Sequence, residues 1–516
     1  MDINSFFEAA IGTKVIAEDA LTADKMNTTK SFLSAADKML KKAIVENKKL
    51  SQKFENGFIK PEYISSGYID DGTASLKPVI DLVQQGGGMY GIALVGYTYI
   101  MEKVGIRFHS HGGTSAGGIN ASFLASIPLS IYTTKSIFVE DKNTNATKSE
   151  LLAHIITNTD FSSFMDAAGI IGRLQQFLFK KYKSKWLLRG FVLFALAFLL
   201  TCFGTFAGIF SIRNGLKGAE IRFFDFIIGT CSFVALLILI YILLVKLFRK
   251  DFGINSGNRF YEWSDCLFEI LGIQHTQNLF NRINANKLSD QQPDDKARLV
   301  MVSSNLTHNR IVKFPERASD YWNNAHKVKP AAYLRATMSL PFIFRTFIPD
   351  VKHYYQRNGS DFVIKKARFV DGGMLSNFPI REFHRLDGHP PRFPTFGVLL
   401  SDIGLKQGRN KTERIRSIDA RKLPDLKFID YIKSYFKTFR NFYDYEFVFG
   451  SDEIAKRVVT VDTQDYNWLD FWMDEDTKKE LFLKGVEAAI EQFEKFDWQE
   501  YRQEREKTDS FILKQK

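Results

Sequence analysis

At 516 residues, 45% of them hydrophobic, the chain is too long for one ordinary domain and too apolar to be disordered. A net charge of +12 suits nucleic acid, an anionic membrane surface or plain solubility, so charge alone selects no partner. Three cysteines (Cys202, Cys231, Cys266) provide neither a disulfide framework nor a spaced zinc site, and collagen-like, knottin-like and repeat-array chains are excluded.

The first 60 residues never offer the sustained apolar core of a signal peptide; 31–54 instead predicts an amphipathic helix with Lys38, Lys41, Lys42, Lys48 and Lys49 on its wet side. Residues 78–83 (PVIDLV) predict a short strand, followed by the turn Gly86-Gly87-Gly88-Met89-Tyr90-Gly91 and a helix over 92–104. Read alone, Gly86-x-Gly88-x-x-Gly91 also fits a dinucleotide fingerprint. That site wants an acid about 20 positions on for the ribose, and the chain has Ile106-Arg107-Phe108-His109 there.

A second strand over 106–110 leads into Gly112-Gly113-Thr114-Ser115-Ala116-Gly117-Gly118 and a helix over 119–126. Gly113-x-Ser115-x-Gly117 is the nucleophile-elbow pattern. The turn from strand to helix is so tight that glycines must flank the serine, which lifts its hydroxyl clear of the sheet. The N-terminus of the helix beneath adds positive dipole and unpaired N–H groups.

Two uncharged stretches follow, 190–210 and 226–245. As a helix, the first would span roughly 31 Å, about one hydrocarbon core. The expectation is a two-helix transmembrane hairpin. Eight Lys and Arg flank it outside (Lys180, Lys181, Lys183, Lys185, Arg189, Lys246, Arg249, Lys250) against three in its loop (Arg213, Lys217, Arg222), which orients both long flanks to the cytoplasm.

Outside the hairpin, short apolar runs alternate with helical stretches, the pattern of an α/β sheet. A late strand over 367–370 ends in Asp371-Gly372-Gly373, with Asn377 and Pro379 beyond it; an aspartate backed by two glycines can approach another backbone closely. His384 and His389, the conceivable bases for a Ser–Asp–His triad, sit among Arg and Pro residues and read as solvated loop histidines. Residues 414–449 interleave aromatics with cations, and read either as a core-packing helix or as a segment that meets lipid.

Taken in order, the glycine loop at 86–91, Gly-Thr-Ser-Ala-Gly-Gly at 113–118 and Asp-Gly-Gly at 371–373 resemble the patatin-like phospholipase family. A softer likeness runs through 298–315, 333–347 and a helix at 477–496, so the resemblance covers 77–496 less the hairpin. It implies an α/β/α sandwich with a central, mostly parallel sheet, here interrupted by the inserted hairpin. It also implies a Ser115–Asp371 dyad, an elbow framed by Gly113 and Gly117, and an oxyanion hole at Gly86, Gly87, Gly88 and Met89. No metal or cofactor is implied. The implied partners are membrane lipids as substrate and no nucleic acid; no motif speaks to an oligomeric state.

The expected organisation is an N-terminal helical extension (1–76), a first catalytic part (77–179), the hairpin (180–250), a second catalytic part (251–400) and a C-terminal part with a helical extension (401–516). The expected function is a membrane-anchored serine lipid acyl hydrolase, two-pass, with its catalytic domain facing the cytoplasm. The alternative is a weakly active or inactive membrane-bound scaffold or lipid sensor. It rests on Tyr90, which stands where the family carries Arg or Lys.

Overall fold

The computed structural model describes residues 6, 23–138, 144–167, 172, 173, 175, 230, 231, 233–235, 237, 238, 241, 242, 251–290, 295–349, 354–357, 360–363, 367–384, 391–401, 444, 445, 447, 448, 454 and 456–515. They fall into two compact units: Met1–Phe164, Gly257–Leu340 and Thr346–Lys516 form the first, and Met165–Ser256 with Pro341–Arg345 the second.

The first unit is built on an eight-stranded sheet. Its strands are β1 (Tyr68–Ile69), β2 (Lys77–Gln84), β3 (Arg107–Thr114), β4 (Leu299–Asn305), β5 (Arg310–Phe314), β6 (Phe369–Asp371), β7 (Thr395–Ser401) and β8 (Val458–Asp462). The run β4-β3-β2-β7-β8 is parallel throughout, while β1, β5 and β6 join it antiparallel. In β2 every residue after Lys77 is buried, as a strand covered on both faces requires. The helices include α1 (Ala23–Glu46), α2 (Gly91–Lys103), α3 (Ala116–Ser126), α4 (Lys148–Asn158), α5 (Asn258–Ile270), α6 (Ala331–Thr337) and α7 (Glu475–Lys495). A mostly parallel sheet among helices agrees with the expected α/β class.

Three differences from the sequence reading have physical causes. The strand expected to stop at Ser110 continues to Thr114, and all eight of its residues are buried. Neighbours on both edges satisfy its backbone. A register shift beside Asp81 is closed by that side chain, whose Oδ1 accepts Ser110 N–H at 3.0 Å. The first 76 residues are also more than a helical extension: β1 pairs with β2, and Phe32 of α1 packs on Phe482 of α7 at 5.7 Å between ring centres. Finally, His384 is not a solvated loop histidine. It lies between two buried arginines, Arg457 at 3.3 Å and Arg505 at 3.0 Å, with Phe447 edge-on at 5.3 Å.

The second unit contains a short parallel pair, Gly253–Asn255 with Phe342–Phe344, pinned by Asn255, whose Nδ2 donates to the Ile343 carbonyl at 2.9 Å. The expected hairpin belongs to this stretch of sequence, and nearly all of it lies outside the described residues. Among the described residues no helix is long and apolar enough to cross a membrane. In the first unit, Phe164 and Phe260, which bracket the insertion, meet with ring centres 5.4 Å apart. The chain thus leaves this unit and re-enters it at neighbouring points, the condition under which a long insertion leaves a sheet undisturbed.

Candidate active site

Ser115 occupies the turn between β3 and α3 at φ +52° and ψ −122°, a conformation costly for a non-glycine residue by about 1–3 kcal/mol and held only when its surroundings over-determine it. They do so here. A Cβ on Gly113 would stand 2.3 Å from the Gly117 carbonyl carbon, and one on Gly117 would stand 2.2 Å from the Gln84 carbonyl oxygen. Only glycines let the first turn of α3 fold back over the strand ends. Ser115 N–H donates to Thr337 Oγ1 at 3.0 Å, and that hydroxyl donates in turn to the Val302 carbonyl, which ties the elbow to β4.

Strand register brings the aspartate to the serine. Thr114, at the end of β3, pairs with Val302, and Asp371, at the end of β6, pairs with Ser303. Strand β5 occupies the opposite edge of β4 over 301–305, so β3 and β6 share one edge and meet head to head at successive rungs. Gly372 permits the meeting: a Cβ there would lie 2.2 Å from the Val302 oxygen and 2.8 Å from Thr114 Cγ2. Asp371 Oδ1 accepts Gly373 N–H at 2.7 Å, which orients the carboxylate. Ser115 and Asp371 are both buried. In this state Ser115 Oγ contacts Met338 Sδ at 3.6 Å.

The glycine loop lies alongside. Asn377 holds its start through two hydrogen bonds, Gly86 N to Asn377 O at 3.1 Å and Asn377 Nδ2 to Gly86 O at 2.9 Å. Met89 N–H donates to the Trp468 carbonyl at 3.0 Å. Of the four residues expected at an oxyanion hole, Gly86 and Met89 therefore direct their N–H groups elsewhere. Those of Gly87 and Gly88 make no hydrogen bond among the described residues. Tyr90, in place of the family's cation, is buried and donates its hydroxyl to the Tyr466 carbonyl at 2.8 Å. An aromatic anchor to the 466–468 segment thus orders the loop where a charge was expected.

Among the described residues no histidine is a hydrogen-bond partner of Ser115. Burial, with Arg457 and Arg505 beside it, pushes His384 down to about 3, so its imidazole is neutral across the physiological range and a poor proton acceptor. His389 lies outside the described residues. Among the described residues no group of three or more His, Cys, Asp or Glu could hold a metal ion.

An apolar cavity opens beside the elbow. Gly88, Met89, Ala116 and Met338 line it, and Phe164, Phe260 and Trp263 contribute a cluster of aromatic rings. Asn120 is the polar side chain in a lining otherwise apolar. Sequence reasoning misses Thr337 and Met338, which lie in the 333–347 segment noted only as a soft likeness, and it gives no weight to the Asn377 side chain. Nothing in their local pattern marks them, because their roles come from contacts across the sheet.

A glycine-framed serine at a strand end, a second strand ending in an aspartate beside it and an apolar cavity alongside suit an acyl hydrolase, and the family match makes the class a lipid acyl hydrolase. A profile described as Patatin-like phospholipase matches residues 82–384, more than half of the chain, and the chain belongs to that family. It is similar to the uncharacterized protein YqhO of Bacillus subtilis (strain 168), 23% identical over 323 residues that make up 62% of this chain and 71% of that one. Among solved structures, VipD from Legionella pneumophila superposes with a TM-score of 0.34 at 12% identity, over 84% of this chain and 71% of that one.

Proposed function

We propose that the protein hydrolyses carboxylic esters of membrane lipids through Ser115 and Asp371. Ser115 Oγ first rotates from Met338 towards the carboxylate, a change of one side-chain torsion. It then attacks the ester carbonyl while Asp371 takes its proton. The tetrahedral oxyanion is met by the N–H groups of Gly87 and Gly88, and its collapse breaks the carbon–oxygen bond to the alcohol, which leaves with the proton from Asp371. In the second half Asp371 takes a proton from water, the hydroxide attacks the acyl-enzyme, and Ser115 departs reprotonated. The products are a fatty acid and the deacylated lipid.

The observation that carries this reading is the apolar cavity at the elbow, whose lining is apolar and aromatic apart from Asn120. An acyl chain fits that chemistry. The test is product analysis of the purified, detergent-solubilised protein on a panel of phospholipids, lysophospholipids and glycerides, with Ser115→Ala as control. Fatty acid release that requires Ser115 supports the reading; a panel untouched by the wild-type protein sinks it.

The loop geometry adds a prediction. Gly88 adopts φ +55°, and a Cβ there would stand 2.4 Å from the Trp468 carbonyl oxygen, so any side chain must displace the loop. Gly88→Ala should lower kcat on a short-chain ester by about 10²-fold with the fold retained, since a misplaced oxyanion donor loses that much. Wild-type turnover in this variant would place the donors elsewhere.

The membrane anchor is part of the same proposal. Phe233, Leu237 and Tyr241 follow one another at helical spacing in the second apolar stretch, and all three are exposed, as are Val234, Ile238 and Ile242. Lipid is the medium that would cover them. In sequence the insertion departs after Phe164 and returns before Phe260, and both rings line the cavity of the first unit. A single cysteine introduced at Gly215 should react with an impermeant thiol reagent only from the non-cytoplasmic side of intact vesicles, and one at Asn145 only from the other. Reactivity at positions 145 and 410 from opposite sides would split the dyad across the bilayer and overturn the anchor as drawn.

A further inference from the structure

Asp444 comes from the aromatic- and cation-rich stretch that reads, in sequence, either as a core helix or as a lipid-facing segment. The residue is 2% exposed, and its carboxylate accepts three hydrogen bonds from one short segment: Ser376 Oγ at 2.8 Å, Asn377 N at 2.6 Å and Phe378 N at 2.8 Å. That segment also carries the other parts of the site. The Ser376 carbonyl accepts Thr114 Oγ1 at 3.1 Å, one residue before the nucleophile. Asn377 holds Gly86 at the start of the glycine loop through its paired hydrogen bonds. Directly upstream is the Asp371-Gly372-Gly373 turn, whose Gly372 carbonyl accepts Ser376 N–H at 2.9 Å.

We propose that Asp444 is a positioning residue of the active site. Its carboxylate clamps 376–378 and so fixes the register among the glycine loop, the elbow and the Asp371 turn. The inference rests on the Ser115–Asp371 reading above. A side chain kept only for packing would be apolar here, because Phe378, whose N–H Asp444 accepts, belongs to a buried hydrophobic cluster with Ile380 and Val448. A carboxylate offers what those cannot, two oxygens able to hold three donors at once. Burial pushes its carboxyl up to about 6, opposed by the Ser376, Phe378 and Asn377 hydrogen bonds and by the charge of Arg381. Arg381 itself lies over the Phe447 ring at 4.7 Å. The ionised clamp is complete above that pH, and protonation removes acceptor capacity as pH falls through it.

The test uses the full chain carrying Asp444→Asn, which keeps the shape and replaces one acceptor oxygen by a donor. The expected result is a fall in kcat on the order of 10- to 100-fold with KM changed less than about threefold. Backbone amide exchange should quicken at 376–378 and in the glycine loop but not across β2 and β3, and the thermal midpoint should hold. The wild-type protein is expected to gain kcat as pH rises through about 6, where Asp444 ionises, and the variant should lack that component. Ser376→Ala, which keeps the carboxylate and removes one donor, should show the same pattern at roughly three- to tenfold.

Wild-type kcat and unchanged exchange at 376–378 in both variants would overturn the clamp. So would a loss of turnover matched by a lowered midpoint and faster exchange throughout the sheet, which would make Asp444 an ordinary stabilising group. Exchange is read without turnover, so it decides the clamp even if Ser115→Ala retains hydrolysis. That latter outcome sinks the dyad reading on its own.

Discussion

Ser115→Ala should reduce lipid ester hydrolysis by about 10⁶-fold, to the background left by binding and oxyanion donors, because no acyl-enzyme forms without Oγ. The loss should come without unfolding. The hydrogen bond that seats the elbow uses the backbone N–H, donated to Thr337 Oγ1, and survives the substitution. The glycines at 113 and 117 that shape the turn are likewise untouched. A serine-directed fluorophosphonate should label the wild-type protein at Ser115 and leave the variant unlabelled, with matching thermal midpoints. Hydrolysis within about tenfold of wild type would mean that the nucleophile is another group.

Asp371→Asn should cost about 10⁴-fold in kcat, since an amide oxygen can still accept Gly373 N–H but cannot take the serine proton. The substitution is isosteric in a tight place, where Gly372 already touches β4, so its effect reads proton transfer and not packing. His384→Ala is the paired control. An imidazole held neutral between two guanidiniums should be dispensable for chemistry, and that variant should keep kcat within a few-fold of wild type. The reverse result, activity kept without Asp371 and lost without His384, would falsify the dyad in favour of a histidine base.

Residues that act through their own local geometry are legible in the amino-acid sequence. Gly113 and Gly117 announce the elbow because only glycine permits backbone approaches of 2.2–2.3 Å at a built Cβ, and the Asp-Gly-Gly turn announces a close approach that Gly372 then makes. The strand at 78–83 is legible from its apolar run. What stays hidden acts at long range. Strand β3 runs on through His111 and the glycines at 112 and 113, where the sequence reading already places the turn; its strand neighbours, with Asp81 accepting Ser110 N–H, lie on other elements. Asp444 and Thr337 show no local signature, since their partners lie on other elements of the fold. His384 misleads for the same reason: its neighbours in sequence are polar, but its neighbours in space are Arg457, Arg505 and Phe447.

The head-to-head meeting of β3 and β6 on one edge of β4 also sets a schedule for synthesis. The serine is made first, then the insertion, then β4, and only afterwards the strand that bears the aspartate. At a translation rate of 5–20 residues per second, roughly 10–50 s separate Ser115 from Asp371 as they leave the ribosome. On the proposed Ser115–Asp371 mechanism, the nascent chain would have a nucleophile throughout that interval but no base to activate it, because β6 has not yet been made. The same proposal predicts that a chain truncated before residue 369 is inert towards lipid esters, so that activity would wait on the long-range strand pairing; hydrolysis by such a truncation would overturn it.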